Sequence, residues 1–134
     1  MTPRNRETLF KKAHAKVLLG IAAADLEAAK VVLESQVGRK EIAAFLAQQS
    51  LEKSIKAVLI WLEIPVPMVH DAGVLVAKLP NQFTPPRGYD LSELTTYATA
   101  LRYREGDSAL SHDDGKAILE IAAAVLSWAK ALVT

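Results

Sequence analysis

The chain has 134 residues, a net charge of +1 and no cysteine, and 51% of its residues are hydrophobic. This length and composition exclude wholesale disorder and favour a single domain over residues 1–134. The near-neutral charge excludes a global attraction to nucleic acid, and the lack of cysteine excludes disulfides and cysteine zinc sites. Without a signal-type apolar run or a membrane-spanning stretch, a cytoplasmic protein that does not enter the membrane is expected.

The six prolines leave residues 4–64 and 87–134 open to long helices, because proline breaks a helix interior. Neither segment alternates as strands do, so the fold class is all-α. The first predicted helix extends from near Arg6 to about Ser35. Apolar or small residues recur in it at helical spacing, at Phe10, Ala13, Val17, Ile21, Ala24, Ala28 and Val31. Gly20 inside this helix costs about 1 kcal/mol relative to alanine and allows a neighbour to approach closely.

The second predicted helix covers about Arg39 to Leu62 and is apolar or small around well over half of its circumference. Such a helix is expected to be central, with neighbours on several sides. Gln49, Lys53 and Lys56 form a narrow polar strip, with Glu52 on its border. Glu52 precedes Lys56 by one turn, the favourable order for a helical ion pair. The strip is either a solvated edge or part of a binding cleft.

Three more helices are predicted, over about His70 to Leu79, over Asp90 to about Glu105–Gly106, and from Ser111 onward. His70 and Asp71 suit a helix cap or a catalytic pair. Asp113 and Asp114 lie in the first turn of the fifth helix, where the helix dipole favours carboxylates. The predicted architecture is an antiparallel up-and-down bundle of about five helices.

Candidates for chemistry are few. The histidines, His14, His70 and His112, lack the spacing of a bundle metal site, so no metal and no cofactor are predicted. His112 suits a helix start as well as catalysis. Arg102 and Arg104 lie in "LRYREGD" at the end of the fourth helix. They are suited either to interact with the negative end of the helix dipole or to bind phosphate. A basic cluster near the N-terminus is a solvated helix face or a polyanion contact; it contains Arg4, Arg6, Lys11, Lys12 and Lys16.

Four segments together resemble the HEPN domain family, named for nucleotide binding in prokaryotes and higher eukaryotes. They are "AAADLEAAKVVL", "AQQSLEKSIKAVL", "HDAGVLVAKL" and "LTTYATALRYREG", which cover most of residues 20–106. The resemblance implies a five-helix bundle that forms a homodimer and associates with nucleotide or RNA. It also implies a minimal nucleotidyltransferase as partner in a bacterial toxin–antitoxin pair. The alanine and leucine content agrees with a dimer, because it provides more apolar helix surface than one core needs.

The resemblance places the polar strip near the cleft between helices. The ligand- or partner-binding residues are then Glu52, Lys53, Lys56, His70, Arg102 and Tyr103. Ribonuclease members carry an arginine, four to six residues and then a histidine, whereas seven residues separate Arg104 from His112 and nine separate Arg102 from it. Asp114 also stands where some members have a tyrosine. These departures favour a non-catalytic module over a metal-independent ribonuclease that uses Arg102, Arg104 and His112. A purely structural dimer is the third hypothesis.

Overall fold

The computed structural model describes residues 2–35, 40–86, 91 and 110–134. These residues form four helices, α1 (Pro3–Glu34), α2 (Lys40–Trp61), α3 (Ala72–Ala77) and α4 (His112–Leu132). They correspond to the first, second, third and fifth predicted helices, and no strand occurs among the described residues. The all-α prediction is therefore confirmed. The fourth predicted helix lies outside the described residues except for Leu91, which is buried.

Helices α1 and α2 run antiparallel. The Lys12 ammonium, near the start of α1, lies over the indole ring of Trp61, the last residue of α2. At the other end of α1, helix α4 begins against Leu33. A Cβ atom added to Gly115 would lie 2.6 Å from the Cδ1 atom of Leu33, so the two helices approach closely there. The up-and-down arrangement follows from these contacts.

Helix α1 begins at Pro3, before the predicted start near Arg6. The Thr2 side chain accepts a hydrogen bond from the Asn5 backbone N–H at 3.2 Å, and it thereby caps the helix. Proline suits the first helical position because its fixed φ is already helical and its missing N–H would have no helical partner. The prediction ignored this cap, which explains the error in the boundary.

Helix α2 ends through a C-terminal motif just before "IPVP". Glu63 adopts a left-handed conformation with φ of 59°. Its N–H donates to the Ile60 carbonyl at 3.0 Å, and the Ile64 N–H donates to the Leu59 carbonyl at 2.9 Å. This is the Schellman pattern, which satisfies carbonyl groups that the helix would otherwise leave unpaired.

The apolar row that predicts α1 is not the row that packs in the core. The buried residues of α1 are Ala15, Leu19, Ala22, Leu26, Ala29 and Leu33. In the predicting row, by contrast, Phe10 is 75% exposed, Val17 is 60% exposed and Val31 is 67% exposed. At about 100° per residue, the two rows lie on opposite sides of the helix. The outer face of α1 thus consists of exposed Phe10, Ala13, Val17, Gly20, Ile21, Ala24, Ala28 and Val31.

Helix α2 is the central helix, as predicted. Thirteen of its 22 residues are buried, including Leu51, Ile55 and Leu59. Helices α1, α3 and α4 each pack against it. Burial on several sides is what a helix with so wide an apolar arc requires. Among the described residues, no helix has both the length and the hydropathy needed to cross a membrane.

Asp71 should stabilise α3 as its N-cap. Its Oδ1 atom accepts hydrogen bonds from the Gly73 N–H at 2.8 Å and the Val74 N–H at 3.3 Å. We expect Asp71→Ala to lower the free energy of unfolding by about 1 kcal/mol, because both N–H groups lose their acceptor. Asp71→Asn keeps an acceptor and should cost much less. Urea denaturation of the two variants measures this, and equal losses would contradict the capping role.

Candidate functional site

Glu52 is a buried carboxylate at the junction of α2 and α3. Its Oε1 atom accepts a hydrogen bond from Lys56 Nζ at 2.6 Å and lies 2.8 Å from His70 Nδ1. The side chain of Glu52 is only 4% exposed, so it lies inside the bundle and not on the border of a wet strip. The predicted ion pair with Lys56 is confirmed. We refer to Glu52, Lys56 and His70 as the Glu52 cluster.

The Glu52 cluster retains unused hydrogen-bonding capacity. Within the described part of the chain, Oε2 of Glu52 is buried and has no hydrogen-bond partner. Burial of a charged group is costly unless other groups compensate it. One ammonium and one imidazole nitrogen compensate this carboxylate through a single oxygen atom. The arrangement therefore positions the His70 ring and the Lys56 ammonium against a fixed anion.

His70 connects the buried carboxylate to solvent. Its side chain is 83% exposed although Nδ1 reaches Glu52. The next residue, Asp71, caps α3 and so fixes the backbone beside α2. His70 consequently presents most of its ring outward in an orientation that the protein sets. The sequence placed His70 at a helix start, and the family resemblance grouped it with Glu52, but neither predicted the contact between the two side chains.

Lys53 faces α1 and does not join the Glu52 cluster. Its ammonium pairs with Asp25, and both side chains are partly buried, at 28% and 21% exposure. The polar strip is thus divided into two ion pairs, Lys53 with Asp25 and Lys56 with Glu52. Each cation has its own anion, so the strip carries little surplus positive charge. No group of three or more potential metal ligands occurs in the described ranges.

His112 lies in a different place, in a groove of about 340 Å³ between α1 and α4. The charged residues that line this groove with it are Lys30, Glu34, Lys116 and Glu120. His112 is exposed at the first position of α4. The preceding Ser111 caps α4 by accepting a hydrogen bond from the Asp114 N–H at 3.0 Å, as the predicted helix start requires. Arg102, Tyr103 and Arg104 lie outside the described residues.

Part of the N-terminal basic cluster is occupied by partners within the chain. The Nζ atoms of Lys12 and Lys16 lie 3.9 Å and 5.8 Å from the centroid of the Trp61 ring, within the range of cation–π attraction. Lys11 pairs with Glu7 at 3.1 Å. These contacts favour the interpretation of the cluster as a helix face. No local sequence pattern predicts that Trp61 is the partner of Lys12 and Lys16, because Trp61 lies far from both in the sequence.

The helical bundle and its buried polar cluster define an all-α module, and comparison with known proteins gives its family. A family model of the HEPN domain matches residues 15–132. The chain therefore belongs to the HEPN domain family. It is similar to the crystal structure of an archaeal HEPN homologue, with a TM-score of 0.66 and 25% sequence identity over 90% of this chain and 98% of that chain. No curated protein matches the sequence.

Lys56 should matter more to stability than an ordinary surface lysine. Lys56→Ala leaves a buried carboxylate without its ammonium, so we expect a loss of about 1–3 kcal/mol in the free energy of unfolding. Lys30→Ala is the matched control, because Lys30 pairs with Glu27 at 3.2 Å on an exposed surface. That pair should contribute only a few tenths of a kcal/mol. Urea denaturation compares the two variants. Similar small losses in both would show that Glu52 does not depend on Lys56.

Proposed function

We propose that this HEPN chain is a non-catalytic binding module that works as a homodimer. It binds nucleotide or RNA, or a minimal nucleotidyltransferase in a toxin–antitoxin-like pair, through the surface around the Glu52 cluster. The observation that carries the proposal is the position of His70, which is 83% exposed while its Nδ1 atom lies 2.8 Å from buried Glu52. An imidazole held in this way offers its second ring nitrogen to a ligand in a fixed orientation.

The cost of burying Glu52 supports a role beyond packing. An apolar residue of similar volume often serves a core position as well as a buried ion pair does, or better. Glu52 instead occupies an interior position of α2, where its neighbours Leu51 and Ile55 are fully buried. The carboxylate orients two groups, the Lys56 ammonium and the His70 ring. Orientation of surface donors is what a binding site needs, because it lowers the entropy lost on association.

The homodimer is supported by the outer face of α1. Phe10, Val17 and Val31 are all more than half exposed there. A contiguous apolar surface of this kind on a folded protein usually marks an interface. A second copy of the chain would cover this face and would bring two binding surfaces into one particle.

The proposed binding can be tested at His70, whose side chain is 83% exposed, with urea denaturation to check that the variant still folds. We expect a labelled single-stranded RNA, or ATP, or a minimal nucleotidyltransferase, to bind saturably to the wild type. His70→Ala should weaken that binding by about three- to tenfold, the effect of one lost hydrogen bond. His14→Ala is the control, because His14 is also exposed but lies on α1. The proposal fails if none of the three probes binds, or if both variants bind like the wild type.

We also expect the protein not to cleave RNA. Metal-free cleavage needs an acid or base at the reacting oxygens and a cation for the developing negative charge. The groove at His112 contains Lys30 and Lys116 but also the carboxylates Glu34 and Glu120, which repel phosphate. Incubation of labelled RNA without metal should leave it intact. Cleavage that both His112→Ala and Arg102→Ala abolish would instead establish the ribonuclease alternative, whereas cleavage that survives both changes would indicate a contaminating nuclease.

A further inference from the structure

We infer that the outer face of α1 packs antiparallel against the same face of a second copy, with the two-fold axis passing beside Gly20. This inference rests on the homodimer in the proposed function. It adds the surface that forms the dimer and the relative direction of the two helices. Three properties of α1 carry it, namely the environment of Gly20, the symmetry of the apolar row and the charges beside that row.

Gly20 makes no close packing contact with the described part of its own chain. A Cβ atom added at this position would meet none of the described residues within 4 Å. Glycine weakens a helix interior, because it loses more backbone entropy than alanine on folding. A glycine in the middle of a 32-residue helix, on an exposed face, is therefore a cost that no contact among the described residues offsets. Close approach of another helix provides the benefit, since backbones can touch only where side chains are small.

The apolar row is symmetric about the midpoint between Gly20 and Ile21. Three pairs of residues lie at equal distances on either side of that midpoint. They are Phe10 with Val31, Ala13 with Ala28, and Val17 with Ala24. A two-fold interface uses one patch on both copies, so its contacts must be self-complementary. Antiparallel pairing of α1 about this midpoint places every residue of the row opposite another residue of the row. It also places Gly20 of one copy level with Ile21 of the second copy and within about 1.5 Å, along the axis, of the second Gly20.

Charges beside the row favour the antiparallel direction over the parallel one. At about 100° and 1.5 Å per residue, Lys16 and Glu27 lie on one flank of the row, and Asp25 and His14 lie on the other. In an antiparallel two-fold pair, each flank of one copy lies against the same flank of the second copy, and the two run in opposite directions. Lys16, 5.8 Å from the Trp61 ring, then lies within about 3 Å along the axis of Glu27 from the second copy, which also pairs with Lys30 of its own chain at the surface. In a parallel pair, Glu27 would lie beside Asp25, whose carboxylate already pairs with Lys53, so no new pair of opposite charges would form.

A charge exchange tests both the surface and the direction. Sedimentation equilibrium should give a dimer for the wild type at tens of micromolar. Lys16→Glu and Glu27→Lys should each raise the dimer dissociation constant by about tenfold, because each change creates two like-charge contacts in the symmetric interface. The double variant, K16E with E27K, should restore the wild-type constant to within about threefold, because the pairs are reformed with reversed sign. Lys116→Glu on α4 is a control that should change nothing.

Gly20→Ala provides a second, independent measurement. The added methyl group should leave the midpoint of urea unfolding unchanged or raise it, because alanine favours helix. It should also raise the dimer dissociation constant by about fivefold or more, because two Cβ atoms enter the closest contact. A monomeric wild type would overturn the homodimer itself, leaving the binding proposal to be judged by the His70 experiment. A dimer that tolerates all three single changes would overturn only this interface. A dimer that both reversals weaken but the double variant does not restore would overturn the antiparallel direction.

Discussion

Helix α2 can be stable only if other helices cover most of its circumference, and this constraint organises the bundle. A helix with so wide an apolar arc loses its driving force for folding when any large part of the arc faces water. Helices α1, α3 and α4 all pack against α2. Ala43, Ala44, Ala47 and Ala57 are fully buried on it, and such small side chains let neighbouring helices approach closely. The packing of α1, α3 and α4 around α2 satisfies this requirement.

The same constraint explains why Glu52 needs its partners. Any residue that faces inward from α2 is removed from water, so an ionised carboxylate there requires compensation from the protein. Lys56 provides it from the same helix, and His70 provides it from the segment before α3. Helix α3 has only six residues, of which Ala72 and Leu75 are buried, and so short a helix is marginal by itself. The Glu52 cluster therefore also helps to hold α3 against α2.

Sequence periodicity was sufficient to predict the buried face of a helix that has one apolar zone. It was insufficient for a helix that has two such zones. Helix α2 has one wide zone, so its central place was predictable. Helix α1 has two opposite apolar rows of similar length, and spacing alone does not show which one faces the core. The buried row contains Leu19, Leu26 and Leu33, and these large side chains were the available signal. The Glu52–Lys56 pair was predictable because it is local, whereas the contacts of Glu52 with His70 and of Lys53 with Asp25 depend on the tertiary fold.

Asp25 connects the two surfaces that the proposals concern. It lies on the flank of the outer face of α1, and its carboxylate pairs with Lys53 from the polar strip of α2. Coverage of the outer face by a second copy would remove water from around this pair. Removal of water strengthens the attraction between two opposite charges that are already in contact. Dimer formation would therefore fix the direction of Lys53 more firmly, so the strip on each copy would depend on an interface to which it does not itself belong.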